Sequence, residues 1–448
     1  MNLIATSQLT VVIGLGMTGL SVARFLRKNN QRFVMMDSRE APPNIEIFKQ
    51  EFGEIDVYLG ELDKALLRRA SEVVISPGVS LRTPALKEII ASGVSVVGDV
   101  ELFARAVTKP VIAITGSNAK STVTTLVGEM AAACGLSVAV GGNVGVPVLD
   151  LLDRQNIDIF VLELSSFQLE STSSLKPIAA TILNVSHDHM DRYESIAEYH
   201  QAKQRIYRHA QTVVINRQDA LTHPPLSKEA KVISFGNDSS DMKSFGFIQQ
   251  GDAVYLGYQF KPLVAVESLT IKGRHNHLNA LAALALGVAA GFEMQCMLAA
   301  LISYKGLPHR CEYIATLNGA MYINDSKATN VGATLAAIEG FAEEKNIILL
   351  AGGESKGADF SPLLTVATRS VKLTILIGRD ADKLYSVLSD SVNCLYQNSL
   401  VSAVQKAMQH AENGDVILLS PACASFDMFT GFEDRGRQFM HAVKALAV

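Results

Sequence analysis

The chain has 448 residues, 48% hydrophobic and 19% charged, which is enough for roughly two to four packed domains and too apolar for disorder. The net charge of −4 provides no basic field for nucleic acid, so we expect anionic ligands to be held by a few local groups. The first residues lack the basic segment of a signal peptide, and no apolar run reaches the about 20 residues that a bilayer span requires. The five cysteines contain no CxxC pair, which predicts reduced, buried thiols in a cytoplasmic protein and argues against a zinc site or disulfide scaffold.

Short β-branched runs alternate with helical patterns along almost the whole chain, which predicts an α/β fold with parallel sheets. The predicted strands fall in three series: 9–13, 33–36 and 73–75; then 111–115, 137–140, 159–164, 180–185 and 212–215; then 321–324, 347–351, 373–377 and 416–419. We therefore predict three domains, at 1–98, 99–306 and 307–448. Residues 234–272 contain turns and short alternating segments, which indicate a small antiparallel appendage on the middle domain, and 278–291 reads as a buried helix.

The first glycine-rich turn, Gly14-Leu15-Gly16-Met17-Thr18-Gly19, follows a strand and opens a helix, and Asp37 ends the next strand. This pattern is typical of a dinucleotide-binding turn with its ribose-binding acid. Two further interpretations stay open: a tight turn that needs glycine only for backbone approach, and a site for another nucleotide diphosphate, since a helix N-terminus recognises phosphates rather than the base. A second loop at 76–78 also follows a strand and could face the same ligand.

The second glycine-rich loop, residues 113–122, reads AITGSNAKST between an apolar strand and a helix. Its backbone N–H groups could surround phosphate oxygens, Lys120 could neutralise them, and the Ser121 hydroxyl could bind Mg²⁺. Two glycine positions of the general phosphate-binding pattern are occupied here by Ile114 and Ala119. A turn without any ligand therefore stays open as an interpretation.

Polar side chains follow two further strands of the middle segment. Glu163 ends one strand, where an acid could hold Mg²⁺, and residues 184–191 (NVSHDHMD) follow the next. Ligands bind where parallel strands end, so His189 is a candidate metal ligand, although a lone histidine is more often structural. Lys203 lies one helix further on and would, without other information, be taken for a solvated surface residue.

The third segment carries polar loops after several strands: 324–330 (NDSKATN), 352–356 (GGESK) and 420–427 (SPACASFD), preceded by 307–310 (LPHR). Acid, base and hydroxyl groups crowd into these loops of an apolar domain. They predict a substrate-binding edge of the sheet.

Seven motifs together resemble the Mur ligase family, and in detail its D-glutamate-adding branch: GSNAKST, ELSSFQLE, NVSHDHMDRY, HNHLNALAA, GLPHRCE, INDSKATN and SPACASFD. They occur in the family's order and spacing across essentially the whole chain. The resemblance implies a Rossmann-like N-terminal domain for a UDP moiety, a central P-loop ATPase domain and a Rossmann-like C-terminal domain for the incoming amino acid. It implies a monomeric enzyme that ligates D-glutamate to UDP-N-acetylmuramoyl-L-alanine in peptidoglycan precursor synthesis.

The resemblance also implies roles for individual residues. For the UDP substrate it implies Gly14, Met17, Thr18, Asp37, Ser38, Arg39, Gly78, Asn143 and Ser165. For ATP it implies Gly116, Ser117, Asn118, Ala119, Lys120, Ser121, Thr122, Asn279, Arg310 and Asp325, with Lys327 completing the nucleotide site. For D-glutamate it implies Thr329, Lys356, Ser425 and Phe432. For two Mg²⁺ ions it implies Ser121, Glu163, His189 and Lys203, the last as a carbamate; Lys120, His189, Lys203 and Lys327 would be catalytic.

The chemistry that the resemblance implies is transfer of the ATP γ-phosphate to the L-alanyl carboxylate, followed by attack of the D-glutamate amine on the acyl phosphate. Neither step needs a protein nucleophile, so positioning and electrostatics dominate. Since the implied nucleotide ligands are divided between the second and third segments, we expect closure of the C-terminal domain to complete the site.

Ala119 is the main departure from the family, which usually has glycine there; a positive φ at this position would cost alanine about 1 kcal/mol. Because of this departure, one alternative interpretation stays open: a nucleotide-dependent binding protein that has lost turnover. A ligase of the same superfamily with a different acceptor also stays open, such as a meso-diaminopimelate- or lysine-adding Mur ligase or folylpolyglutamate synthase, and so does an NAD dehydrogenase. The UDP-type turn argues against the folate enzyme.

Overall fold

The computed structural model describes residues 9–190, 192–225 and 230–446. Asp191 of the NVSHDHMD motif and the outermost residues of the predicted first and last domains lie outside these ranges. The chain divides into two units: unit 1 comprises residues 1–185, 189–234 and 283–297, and unit 2 comprises 186–188, 235–282 and 298–448.

Unit 1 begins with a parallel five-stranded sheet in the order β3-β2-β1-β4-β5. Its strands are almost continuous apolar runs because helices cover both faces of a parallel sheet. The elements are β1 (Thr10–Ile13), α1 (Met17–Lys28), β2 (Phe33–Asp37), α2 (Ile45–Glu51), β3 (Val57–Leu59), α3 (Lys64–Arg69), β4 (Glu72–Ile75), α4 (Pro84–Ala91), β5 (Ser95–Gly98) and α5 (Asp99–Ala106).

A second set of parallel strands in unit 1 runs in the order β10-β9-β6-β8-β7. The elements are β6 (Val111–Thr115), α6 (Lys120–Ala133), β7 (Val138–Gly142), α7 (Val148–Leu151), β8 (Ile159–Glu163), α8 (Ser166–Glu170), β9 (Ala179–Ile182), α9 (Ile196–Gln204) and β10 (Thr212–Asn216). Strand β6 lies centrally, so the loop that follows it opens among the carboxyl ends of its neighbours. This is where parallel α/β sheets bind ligands.

Four further strands follow, and the last three pair antiparallel in sequence order, as the turn-rich stretch 234–272 predicts. They are β11 (Lys231–Ser239), which runs from unit 1 into unit 2, β12 (Ser244–Gln250), β13 (Ala253–Tyr258) and β14 (Lys261–Ala265). Helices α10 (Arg274–Ala289) and α11 (Met294–Ser303) follow. Residues 280–286 of α10 are all buried, which confirms the predicted core helix.

The remainder of unit 2 is a six-stranded mixed sheet in the order β15-β16-β20-β17-β18-β19, parallel except for the β15–β16 pair. Its elements are β15 (Glu312–Leu317), β16 (Ala320–Asn324), α12 (Val331–Phe341), β17 (Ile347–Gly352), α13 (Leu363–Ser370), β18 (Val371–Ile377), α14 (Ala381–Leu388), β19 (Asn393–Tyr396), α15 (Leu400–His410), β20 (Val416–Leu419) and α16 (Phe432–Leu446). Two apolar clusters, one on each side of β17 and β20, form the core. The predicted α/β fold class is confirmed. Within the described part of the chain, no helix combines the length and apolarity needed to cross a bilayer.

The cysteine prediction is wrong for one pair. Cys134, just after α6, and Cys296 in α11 form a disulfide with a Cα–Cα distance of 5.3 Å, and both are only half-buried. The other three are free thiols, but only Cys423 is fully buried. The two cysteines are 162 positions apart in the sequence, and a pair this distant has no recognisable spacing pattern. The pairing therefore could not be predicted.

Candidate active site

The first glycine-rich turn lies between β1 and α1 and is built by close backbone contact. Gly14 has φ +101°, and a Cβ placed there would lie 2.8 Å from the Cβ of Ser76. The Ser76 hydroxyl donates a hydrogen bond of 2.9 Å to the Gly14 carbonyl, so the two predicted loops do meet. In contrast, a Cβ at Gly16 or Gly78 would face open space. That space lets a ligand approach the backbone at the start of α1.

Asp37 holds this turn in shape. It is 2% exposed, and its carboxylate accepts hydrogen bonds from the Leu15 N–H (2.7 Å) and from the backbone and guanidinium of Arg39 (2.7–2.9 Å). Burial alone would raise the Asp37 pKa, but the bonds from Arg39 and Leu15 outweigh it and lower the pKa. The anionic carboxylate therefore fixes the turn, and it holds the half-exposed Arg39 guanidinium beside the turn through two of its nitrogens. Ser38 and Met17 are exposed and Thr18 is half-buried at the same edge.

The loop between β6 and α6 has the shape of a phosphate-binding loop. Ala119 caps α6 in the left-handed conformation, with φ 66° and ψ −2°. The Lys120 ammonium folds back onto the loop and donates hydrogen bonds of 2.8 Å to the carbonyls of Gly116 and Ser117. Ser121 and Thr122, in the first turn of α6, are buried. The helix N-terminus thus presents N–H groups, two hydroxyls and one lysine around a single loop.

Two residues that the sequence motifs did not assign to the site support this loop. Asn184, after β9, accepts at its backbone carbonyl from the Ser117 N–H (2.9 Å) and at its side-chain oxygen from the Asn118 N–H (2.8 Å). The Tyr199 hydroxyl lies 3.1 Å from the Ser117 hydroxyl. Asn184 belongs to the NVSHDHMD motif, but Tyr199 looks like an ordinary apolar position of α9. Only the contact across the fold reveals its role.

Lys203 is not a surface residue. It is 1% exposed, its ammonium donates a 2.9 Å hydrogen bond to the Gly116 carbonyl, and it lies 4.3 Å from the centre of the Tyr199 ring. The interpretation of a solvated helix lysine is therefore wrong. A second lysine thus joins Lys120 at the phosphate loop.

Glu163 ends β8 inside the same unit and is 3% exposed. The exposed Asn143 donates from its side chain to a Glu163 carboxylate oxygen (2.9 Å) and from its backbone N–H to the Glu163 carbonyl (2.8 Å). Ser165 caps α8 in a reciprocal capping box with Gln168, so its hydroxyl is held in one orientation. These contacts bring Asn143, Glu163 and Ser165 to one edge of the sheet.

His189 is exposed and has φ 56°, and its ring packs on Phe167 (centroids 4.8 Å apart). The rings of Tyr199 and Tyr193 continue this aromatic cluster towards Lys203. Among the described residues, no three His, Cys, Asp or Glu side chains form a cluster that could hold a metal ion. A metal at this edge would need phosphate, hydroxyl or carbamate oxygens as additional ligands.

In unit 2, Asp325 follows β16 and is 7% exposed. Its carboxylate accepts hydrogen bonds from the Ser420 hydroxyl (2.8 Å) and the Cys311 N–H (3.2 Å). Burial raises the pKa of Asp325 to about 7, even though those bonds and the charge of Arg310 lower it. Its position ties the loops after β16 and β20 together.

The other predicted residues of unit 2 occupy neighbouring loops and the start of α16. The Lys327 ammonium lies 3.8 Å from the centre of the Phe432 ring, and the Lys327 N–H donates 3.0 Å to the His309 carbonyl. Ser425 is 2% exposed. The remaining members are accessible to different degrees: Thr329 and Lys356 are exposed, and Arg310 and, on α10, Asn279 are half-buried.

The structure therefore brings the predicted residues together in two groups. The turn after β1, the phosphate loop, Glu163 and Lys203 belong to unit 1, and Asn279, Asp325, Lys327 and the loop after β20 belong to unit 2. A glycine-rich turn, a phosphate loop with buried polar support, and parallel sheets define a nucleotide-binding α/β protein.

Comparison with known sequences makes this class more specific. Three sequence models match consecutive parts of the chain: "Mur ligase MurD-like, N-terminal domain" at 8–98, "Mur ligase middle domain" at 114–287 and "Mur ligase, glutamate ligase domain" at 309–423. The chain belongs to the Mur ligase family and is a ligase.

Similar proteins from several bacteria match over the full length. The chain is 50% identical to UDP-N-acetylmuramoylalanine--D-glutamate ligase of Pseudomonas fluorescens strain ATCC BAA-477, with 100% of both chains covered. It is 49% identical to the ligase of the same name from Legionella pneumophila, with 98% of this chain and 99% of that one covered. Among solved structures, MurF of Thermotoga maritima in complex with ADP (14% identity, 98% and 95% coverage) superposes with a TM-score of 0.61. A pseudomurein peptide ligase type C of Methanothermus fervidus (19% identity, 98% and 100% coverage) reaches 0.59, and both show the same fold.

Proposed function

We propose that this chain joins D-glutamate to the L-alanyl carboxylate of UDP-N-acetylmuramoyl-L-alanine, with ATP as the energy source, in peptidoglycan precursor synthesis. The proposal is carried by the sequence comparison: the chain is 49–50% identical, over its full length, to relatives that are named for this activity. Family membership alone would leave the acceptor amino acid open.

The phosphate loop would bind ATP. Lys120 and the N–H groups of residues 116–122 would lie against the phosphate oxygens, and on binding the Lys120 ammonium would exchange its loop carbonyls for those oxygens. Asn184 and Tyr199 support the proposal because they hold this loop in place before the nucleotide arrives. A preformed loop reduces the ordering cost of binding.

A carboxylate is a poor acyl donor, so the γ-phosphate is first transferred to the L-alanyl carboxylate, and ADP leaves. The amine of D-glutamate then attacks the acyl carbon, and inorganic phosphate leaves from the tetrahedral intermediate as the amine loses its proton. Asn143 and Ser165 would orient the donor carboxylate, since both side chains are fixed by hydrogen bonds beside Glu163. Positioning and charge stabilisation supply the catalysis.

The residues at this edge fit magnesium. Glu163 and Ser121 offer the oxygen ligands that Mg²⁺ prefers, and His189 would hold a second ion. When bound, the two ions would neutralise charge on the phosphates. The buried Glu163 carboxylate accepts a side-chain hydrogen bond from Asn143 to one oxygen, which leaves lone pairs for a cation.

Lys203 would act as a carbamate. A buried ammonium beside a metal-binding edge adds positive charge where cations must bind, whereas a carbamate supplies two anionic oxygens. Formation is balanced: the neutral Lys203 amine attacks CO₂, an N–C bond forms, and one proton is released. Burial of the side chain at 1% exposure supports this because desolvation favours the neutral amine.

The uridine diphosphate of the donor would lie at the turn after β1, where the open face of Gly16 and the exposed Arg39 are suited to a diphosphate. In unit 2, Lys327 and Asp325 would serve the nucleotide, and Thr329, Lys356, Ser425 and Phe432 would hold D-glutamate. Lys356 would supply a cation for a carboxylate of the acceptor.

Release of inorganic phosphate tests the proposal. It should require UDP-N-acetylmuramoyl-L-alanine, ATP, Mg²⁺ and D-glutamate together, and omission of any one should abolish it. Parallel assays with L-glutamate, L-lysine and meso-diaminopimelate serve as matched controls. Equal turnover with any of these would mean that the acceptor is assigned wrongly, and a change in NADH absorbance would favour a dehydrogenase.

A further inference from the structure

Arg435, on the first turn of α16, is a buried cation that the proposed reaction does not use. Its side chain is 1% exposed. Among the described residues, no carboxylate oxygen lies within salt-bridge distance of its guanidinium; Asp325 and Asp427 act on it only at longer range. Burial lowers its pKa to about 10, so it remains a cation near neutral pH. A charge of this kind is costly to bury, and apolar packing alone would be served better by methionine.

The guanidinium binds two loops at once. Nε donates to the Ser326 hydroxyl (2.9 Å), Nη2 to the Ser326 carbonyl (2.8 Å) and Nη1 to the Cys423 carbonyl (3.1 Å). Ser326 and Cys423 are both fully buried. The planar fork of arginine suits such a set of acceptors, which a single ammonium cannot reach simultaneously.

Both loops carry residues of the proposed acceptor and nucleotide sites. Ser326 stands between Asp325 and Lys327, and Cys423 is two residues before Ser425. The Ser326 hydroxyl also donates 2.8 Å to the Phe432 carbonyl, so the same set of bonds fixes the start of α16. The relative position of these residues therefore depends on this side chain together with the Ser420–Asp325 bond, which joins the same two loops.

We propose that Arg435 is a positioning residue for the acceptor site: by cross-linking the loops after β16 and β20 it sets the spacing of the groups that hold the acidic amino acid. This inference rests on the proposed function for the identity of the acceptor. The cross-link itself rests only on the geometry of unit 2.

The experiment compares Arg435→Met with Arg437→Met, an exposed arginine on the same helix whose side chain is 55% exposed. Arg435→Met should raise KM for D-glutamate by about tenfold or more, the effect expected when bonds from a charged donor are lost. KM for UDP-N-acetylmuramoyl-L-alanine should change by less than about twofold, since that substrate is assigned to unit 1. Arg437→Met should leave both constants near the wild-type values.

Arg435→Lys distinguishes the cross-link from the charge alone. It keeps the cation but loses the fork, so most of the rise in KM for D-glutamate should persist. Full recovery with lysine would overturn the proposal in favour of a purely electrostatic role. Ser326→Ala is a milder variant in case Arg435→Met does not fold; it should change KM for D-glutamate in the same direction by a smaller factor.

Hydrogen–deuterium exchange provides a readout that does not depend on the acceptor. Peptides covering 324–330 and 420–427 should exchange faster in Arg435→Met than in Arg437→Met, while peptides of unit 1 should not change. Unchanged exchange in both loops would refute the cross-link. If the wild-type enzyme releases no phosphate with D-glutamate, the proposed function fails, and the exchange comparison still decides on Arg435.

Discussion

At the residue scale, Ala119 shows the cost of placing a side chain in a glycine conformation. Its φ of 66° is the left-handed value, which alanine adopts with strain. The positive φ considered from the sequence is therefore present. The loop keeps its shape because Asn184 and the start of α6 hold both sides of it.

Ala119→Gly should raise the free energy of unfolding by about 1 kcal/mol, because glycine adopts positive φ without steric cost. We expect turnover to stay within about tenfold, a barrier change of about 1.4 kcal/mol, and KM for ATP to fall or stay constant. Thermal unfolding measures the change in stability, and ATP titrations measure turnover and KM for ATP. The exposed helical Ala132→Gly is the control, with the opposite sign on stability. A large loss of turnover in Ala119→Gly would show that the methyl group packs productively.

Lys203→Ala should remove most activity, and added short carboxylic acids should restore part of it by occupying the vacated oxygen positions. The exposed Gln201→Ala on the same helix is the control and should remain active. Phosphate release in CO₂-depleted and CO₂-supplied buffer measures the effect. Near-normal turnover of Lys203→Ala without CO₂ would contradict the carbamate. Loss of activity without carboxylate rescue would instead assign Lys203 to holding the Gly116 carbonyl as an ammonium.

At the scale of elements, helices α5 and α8 meet through a buried carboxylate. Asp99 begins α5 and is 2% exposed, and its nearest side-chain donor is the Gln168 amide at 3.5 Å. Burial raises the pKa of Asp99 to about 6, because the bonds from Val100 and Gln168 compensate only in part. Gln168 also caps the helix that carries Ser165, so this contact lies directly behind a proposed substrate residue.

The raised pKa predicts how stability depends on pH. The folded protein binds the Asp99 proton more tightly than the unfolded chain does, so protonation of Asp99 stabilises the fold. This stabilisation is complete below about pH 4 and is lost as the pH rises through about 6. Across that window, the free energy of unfolding of the wild-type protein should fall by an amount on the order of 3 kcal/mol because of Asp99, and Asp99→Asn should abolish this fall. Unfolding curves between pH 4 and 8 measure it, with the exposed Asp56→Asn as control. Identical pH profiles for Asp99→Asn and wild type would refute the assignment.

At the scale of the whole molecule, the Cys134–Cys296 disulfide joins two cysteines of unit 1 and closes a loop of 162 residues that includes segments of unit 2. Disulfides of this kind are uncommon in reducing compartments, which is why five scattered cysteines predicted free thiols. The bond joins the end of the phosphate-loop helix to α11. It therefore constrains the element on which the proposed ATP site depends.

Cys134→Ser, or reduction of the wild-type protein, should lower the stability of unit 1, by up to about 5 kcal/mol if the unfolded chain loses all of its loop-closure constraint. Thermal unfolding with and without reductant measures the change, and Cys394→Ser, which removes a free thiol, is the control. Equal midpoints for Cys134→Ser and oxidised wild type would show that the bond does not form in solution.

The sequence by itself determined the fold class and the family. Strands such as Val111–Thr115 and Val416–Leu419 were predicted to the residue, because a buried parallel strand is a short, continuous apolar run and its periodicity is local. The positions of the motif loops after these strands could also be predicted, because glycine turns and polar residues at strand ends are local signals as well. The domain boundaries and the roles of individual site residues remain predictions.

Only the tertiary structure decided which side chains meet. It buried Lys203 beside Gly116, engaged Asp37 with Leu15 and Arg39, paired Cys134 with Cys296, and placed Arg435 between two loops. Each of these contacts joins positions that lie far apart in the chain or whose local pattern fits an ordinary helix or loop equally well. Hydrophobic periodicity fixes which face of an element is buried, but the partner of a polar group on that face is set by packing between distant elements.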